Sequence, residues 1–352
     1  MSFVSYFFVN KSRPVVTENK VNTSRALWAL SVLLISAYAM VSGNASAEHP
    51  EVKRLTWGHV YETSEPLHKW ALWAADQIHK QTDGRYNIDV FPTSIMGKEA
   101  ELNQSLTLGT LDIIYTGTSF AGQTYPPMSL SELPYIFRDY QHWQRFTESP
   151  LFNEMIAGYK QATHGNQVIG NNYYGQRHLT SNKPITTPAQ MQNLKLRVPN
   201  ASIYKMFPLA VGANPSPIAF SEVYLALQQG VVDAQENPLP TIKAKKFYEV
   251  QAYISLTGHL QGSILTVLSH RLWSSLSEQD KQIFASVLKQ AAQGVSADTR
   301  HAELALIDWF EKQGTKVLTV DRALFREKTL PQHATIKHQL GAEFYDRLQK
   351  IQ

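Results

Sequence analysis

Residues 194–240 read LKLRVPNASIYKMFPLAVGANPSPIAFSEVYLALQQGVVDAQENPLP, and the fold is decided there. Leu194, Leu196 and Val198 alternate with Lys195 and Arg197, the two-residue period of a half-buried strand. Pro199 ends the strand because it has no N–H to give to a ladder. Arg197 is therefore expected on the face opposite the leucines, one residue from the strand end. Its planar guanidinium suits a carboxylate; the plain alternative is a surface or salt-bridge arginine. Asn200 and Ser221 have the chemistry of N-caps for two following helices, with Gly212 and Gly230 as their stops. Pro208 must kink or shorten the first of these. Residues 231–234 read as another short strand, running into a polar loop of Gln235, Glu236, Asn237 and Pro238. Open α/β sheets bind ligands beyond the carboxyl ends of their strands, which places Arg197 and Asn237 for a ligand.

Upstream, residues 54–58 read as a strand, Pro66 starts a helix, and residues 86–90 alternate as a second strand, a βαβ opening. In that helix Leu67, Trp70, Ala71, Ala74 and Ile78 keep helical spacing, so Trp70 reads as packing. A helix follows from Gly97-Lys98-Glu99 to Leu108, then a strand over residues 111–115 and a loop from Thr116. LTLGTLD at residues 106–112 parallels LQQGVVD at 227–233: helix end, glycine stop, strand start. If the module repeats in two lobes, residues 116–120 and 235–238 form opposite walls of a cleft. Residues 168–174 and 262–269 read as strands, 242–253 as a helix, and 277–312 as a long helical pattern.

The chain has 352 residues, enough for two domains or one domain and a leader. It has no cysteine, which removes disulfides, thiolate metal sites and a cysteine nucleophile. Of the net charge of +4, Lys11, Arg13, Lys20 and Arg25 against Glu18 account for +3, which leaves +1 after residue 47. That near-balance gives no reason to expect a nucleic-acid partner. Arg25, the apolar run 26–41 and Ala45-Ser46-Ala47 have the three parts of a secretory signal peptide, with cleavage expected after Ala47. The apolar run is shorter than the roughly 20 residues of a spanning helix.

KLRVPN followed by NPSPIAFSEVYLALQQGVVDAQENP resembles the solute-binding proteins of tripartite ATP-independent periplasmic (TRAP) transporters, and the resemblance extends over nearly all the chain after Ala47. It implies a two-lobed α/β periplasmic binding fold with a cleft between the lobes and a long helix spanning both. The chain would cross between lobes near Tyr174 and Gln261. Lobe I would comprise residues 48–174 and 262–302, and lobe II residues 175–261 and 303–352. In this family the RVPN arginine, here Arg197, forms a salt bridge with the ligand's acid group. By the same resemblance Arg177 is a second ligand-facing arginine, Asn237 a carboxylate hydrogen-bonder, Phe220 an aromatic wall and Glu99 an acidic neighbour. Phe220 as plain core and Glu99 as a solvated helix-start acid are the alternatives. Sialic-acid-binding members carry an acid and an arginine where this chain has Gly117 and Phe120, and an asparagine where it has Val60. The first loop instead offers His59, Tyr61 and Glu62. A ligand smaller or less polar than sialic acid is expected: a carboxylate, sulfonate, sugar acid or aromatic keto acid.

Motifs for enzyme chemistry are absent: no G-x-S-x-G, P-loop, H-E-x-x-H or dinucleotide fingerprint. The 12 histidines lack metal-ligand spacing. The expectation is a non-catalytic periplasmic subunit without cofactor or metal, a monomer that captures a small organic anion and delivers it to membrane permease subunits. The rival is an extracytoplasmic hydrolase or lyase on an acidic sugar, which needs two carboxylates across a cleft, with Glu62 and Glu99 as candidates.

Overall fold

The computed structural model describes residues 52–352; the expected leader and its cleavage site lie outside them. Nine strands form one sheet: β1 (Lys53–Gly58), β2 (Tyr86–Phe91), β3 (Ile113–Gly117), β4 (Gln167–Ser181), β5 (Lys195–Val198), β6 (Asn214–Pro217), β7 (Ala234–Pro238), β8 (Tyr253–Leu268) and β9 (Lys316–Leu318). Their order is β2-β1-β3-β8-β4-β7-β5-β6, with β9 beside β8. The β1–helix–β2 opening is parallel, as its pattern predicts. Its helix, Pro66–Gln81, buries Leu67, Ala71, Ala74 and Ile78. Trp70 stays half-buried and donates Nε1–H to Asp298 at 2.8 Å, tying this helix to the long one.

The two crossover strands are much longer than their patterns suggest. β4 runs for 15 residues and β8 for 16, paired antiparallel almost throughout. The expected helix over residues 242–253 shrinks to Leu239–Ala244, and β8 starts at Tyr253. β4 pairs with β7 only from Arg177 onward. Before that, its outer edge is sealed by the helix Glu278–Lys312. Ser296 Oγ accepts the Tyr173 N–H at 2.9 Å, and Glu303 accepts that of Gln176. This helix has 35 residues, or about 52 Å at 1.5 Å per residue, and packs on helices of both halves. Gly175 and Gly262 face each other across the two crossover strands. Gly175 has φ +115°, and a Cβ there would lie 2.7 Å from that of Pro238, so glycine is required.

The repeated module is real in structure. Gly109 and Gly230 are both left-handed, at φ +71° and +69°. Asp112 then accepts the Thr56 N–H on β1, and Asp233 accepts the Lys195 N–H on β5, each at 2.9 Å. Both aspartates sit at a strand start, and neither belongs to the cavity lining described below.

Two local expectations give way. β7 is the polar run AQENP itself, buried throughout, so Asn237 lies in a strand and not in a loop after it. Tertiary pairing with β4 and β5 overrides its poor strand propensity. Asn200 and Ser221 cap nothing; short turns Ser202–Lys205 and Phe220–Glu222 replace the starts of the two helices. The proline-rich NPSP becomes β6, allowed because it is the sheet's edge. The last helix, Ala342–Gln349, packs against Pro126–Glu132 and Pro150–Ala162, with Arg347 paired to Glu154. Those neighbours belong to the expected first lobe, a packing the lobe limits above do not anticipate.

Candidate ligand site between the lobes

A cavity of about 190 Å³ lies where the carboxyl ends of β1, β3, β5 and β7 converge on the crossover strand β4. Arg197, Arg177, Asn237, Phe220, Glu99, Tyr61 and Phe120 all line it.

Arg197 sits on β5 between Leu196 and Val198, both fully buried, and is itself 1% exposed. Its Nε and Nη2 donate to the carbonyl of Ile218 at 2.9 and 2.7 Å. That grip fixes the plane of the fork. Nη1 is buried with no partner. Burial pushes the guanidinium's pKa down to about 10, with Glu236 pulling the other way, so it stays charged at neutral pH. A buried, charged donor without an acceptor is costly unless something fills its place.

Arg177, on β4, is differently placed from the sequence expectation. Its fork is occupied by Glu236: Nε and Nη2 both meet the carboxylate, Nη2 at 2.7 Å, and Nη2 also donates to the Glu236 carbonyl. Only Nη1 has no partner among the described residues. Burial acts to raise the pKa of Glu236, but Arg177 and His259, whose Nε2 is 3.1 Å away, hold it at about 2. Burial likewise opposes the Arg177 charge, and Glu236 more than restores it. Asn237 lies one residue further along β7, its Nδ2 donating to Gln235 Oε1 at 2.6 Å.

The facing wall comes from the first half of the chain. Glu99 opens the helix Glu99–Leu108, and its Oε1 accepts the Gly117 N–H at 2.6 Å. Burial raises its pKa to about 7 against the opposing pull of Gly117, Thr116, Arg177 and Arg197. Tyr61 packs its ring 5.3 Å from Tyr174 and 6.2 Å from Phe220. Phe220 is half-buried and forms part of the wall, with Lys245 Nζ 4.9 Å from its ring centre.

His59 is the expected site residue that the cavity does not include. Its ring is wholly buried behind Tyr61: Nδ1 accepts the Tyr61 N–H at 3.2 Å and Nε2 meets His68 Nδ1 at 3.1 Å. Burial, then His68, pushes its pKa down to about 3, so the ring is neutral. Glu62 also lies off the cavity lining, paired with Lys245 at 2.7 Å. Residues that sequence reasoning missed include Tyr174 and Tyr204, whose rings lie 6.0 and 5.2 Å from the Arg177 guanidinium carbon. Glu236 was also missed. Its signal was available: an acid beside Asn237, at a position that a buried strand tolerates only when paired.

Contacts close the cavity between its walls. Lys98 pairs with Glu222, Glu62 with Lys245, and Tyr204 donates to Glu132 at 3.0 Å. Thr241 Oγ1 lies 2.9 Å from Glu65 Oε2 and from the Tyr174 hydroxyl.

Residues 57–339 match the family described as bacterial extracellular solute-binding protein, family 7. This chain belongs to that family. The family 7 protein is 32% identical over 319 residues to the sialic acid-binding periplasmic protein of Vibrio cholerae, covering 91% of this chain and 97% of that one. Its fold is similar to a TRAP periplasmic solute-binding protein from a Polaromonas species bound to D-erythronate. That match has a TM-score of 0.82 and 31% identity, over 85% of this chain and 99% of the other. It is also similar to one from Roseobacter denitrificans with bound L-galactonate, with a TM-score of 0.79 and 29% identity over 85% and 98%. The two-lobed α/β architecture and the TRAP membership inferred from RVPN and QENP are thus established. The family 7 protein is a substrate-binding component of transport for organic acids, and the hydrolase or lyase alternative has no support. Such proteins are periplasmic and work with membrane permease components. No helix among the described residues is long and apolar enough to cross a membrane.

Proposed function

We propose that this protein captures a small organic acid by pairing its carboxylate with Arg197 and carries it to a TRAP permease. The observation that carries the reading is the buried Nη1 of Arg197, charged and without an acceptor. A carboxylate oxygen at Nη1 would restore the missing bond, with the free Nη1 of Arg177 and the amide of Asn237 beside it. Charge-assisted bonds of this kind are the strong ones. Glu99, with its pKa near 7, would be protonated beside a bound anion and donate to a ligand oxygen. Tyr61, Tyr174 and Phe220 would pack on the ligand body.

The cavity is compact and the charged groups of the sialic-acid pattern are replaced by Gly117 and Phe120, which supports a ligand smaller than sialic acid. The crossings at Gly175 and Gly262 would act as hinges, since both positions combine glycine with a break in ladder register or close backbone approach. The mature protein would start after Ala47 and act as a monomer. Mass spectrometry of compounds released from freshly purified, denatured protein tests the reading. A released small carboxylic acid that raises the melting temperature of the stripped protein is the expected result. Recovery of a neutral or cationic compound with the same effect would overturn it.

A further inference from the structure

We infer that the ligand carries a single negative charge, and that Glu222 is a specificity residue that keeps acids with a second carboxylate out. This rests on the organic-anion reading above. Among the described residues, three cations line the cavity: Lys98, Arg177 and Arg197. Two are already neutralised by the protein. Arg177 is held by both oxygens of Glu236, each partner about 97% buried. Lys98 is held by Glu222, which reaches it from the turn Phe220–Glu222 on the opposite wall. Arg197 alone donates only to a neutral acceptor, the carbonyl of Ile218. Arg197 is therefore the one cation of the three without a carboxylate partner.

A single carboxylate cancels that charge. A second carboxylate on the same molecule has no cation left to meet. Within the cavity the other acidic side chains it meets are Glu99 and Glu101. Glu101, whose Oε2 accepts the Lys98 N–H at 2.8 Å, presents a carboxylate there, and a second ligand anion beside it would meet a like charge. At the rim, the second carboxylate could reach Lys98 only by displacing Glu222. The Lys98 and Glu222 side chains are 48% and 52% exposed, so the pair adds little to stability. Its effect is on selection: it withdraws the one ammonium that would reward a dianion. Discrimination built from an occupied cation and a facing acid works by penalising the wrong ligand.

The test compares matched acids by calorimetry on wild type and Glu222→Gln: D-erythronate against meso-tartrate, and L-galactonate against galactarate. Each pair shares a chain length and differs in the second carboxylate. In wild type the monocarboxylate of whichever pair binds should be favoured by at least about tenfold. In Glu222→Gln that preference should narrow by at least about threefold, through tighter binding of the dicarboxylate, because Lys98 is then free. Glu222 is a half-exposed side chain whose only ion pair among the described residues is with Lys98, so the variant should fold. A dicarboxylate that binds wild type as tightly as its partner overturns the inference, as does an unchanged ratio in Glu222→Gln. If none of the four binds, the acid co-purifying with the protein decides: one carboxylate upholds the inference, two overturn it. A co-purifying compound that is not an anion overturns the organic-anion reading itself.

Discussion

Arg197→Met is expected to abolish anion binding and leave the ligand-free protein folded. The guanidinium is 1% exposed, and burial brings its pKa down to about 10. A fall of that size penalises the charged form by about 3 kcal/mol, at about 1.4 kcal/mol for each tenfold. A carboxylate arriving at Nη1 removes the penalty. Loss of the guanidinium should therefore weaken binding by about 100-fold or more. Ligand-free Arg197→Met is spared the same penalty. Against that, the Ile218 carbonyl loses both its donors, at a cost of about 1–3 kcal/mol for a buried acceptor. The two effects nearly cancel, so the melting temperature should stay within about 5 °C of wild type. Arg197→Lys keeps the charge, but one ammonium cannot hold the Ile218 carbonyl and also present a planar pair of donors. At least about a tenfold loss is expected. Calorimetry with the acid recovered from the purified protein, and scanning calorimetry without it, measure both quantities. Affinity in Arg197→Lys within about threefold of wild type would refute the assignment. So would a ligand-free Arg197→Met that melts more than about 10 °C lower, because the guanidinium would then be holding the fold.

Glu99 carries a pH signature. With its pKa raised to about 7, it is protonated below that value and can sit beside an anion; above it, the ionised group repels the ligand. Wild-type affinity should weaken as pH rises from 6 to 8, and Glu99→Gln should bind with little change across that range. A pH-independent wild type would remove Glu99 from the ligand. Glu236→Gln leaves Arg177 buried without its counterion and should destabilise the fold by about 3–5 kcal/mol, read as a clear drop in denaturant midpoint. A midpoint equal to wild type would mean that the pair is not formed. N-acetylneuraminate should bind weakly or not at all, since Gly117, Phe120 and Val60 give its polar tail no partners; nanomolar binding in a titration would show that these positions do not face the ligand.

Periodicity was enough to place most elements. The alternation of residues 194–198 located Arg197 on its strand, and the Gly–Asp echo at 109–112 and 230–233 anticipated two matching modules. Both are local patterns, set by which side chains face water and by where a left-handed residue must sit. The extents of β4 and β8 were under-read because their polar and glycine residues break the alternation. In the folded protein those residues are buried between neighbouring strands and the long helix.

The resemblance assigned ligand-facing roles to Arg197, Arg177, Asn237, Phe220 and Glu99, but not their state. Arg177 and Glu236 are 59 residues apart, and nothing local tells that one neutralises the other. His59 is adjacent to the first loop in sequence, yet its ring turns inward because His68, in the first turn of Pro66–Gln81, gives it a buried partner. Lys98 and Glu222 meet only because two walls close on one cavity. The sequence determined which chemical groups exist and which strand or turn carries them. The tertiary structure decided which charges cancel, because in a buried site Coulomb energy depends on a few ångströms between residues far apart in the chain. That cancellation leaves Arg197 as the one unbalanced cation among the described residues lining the cavity.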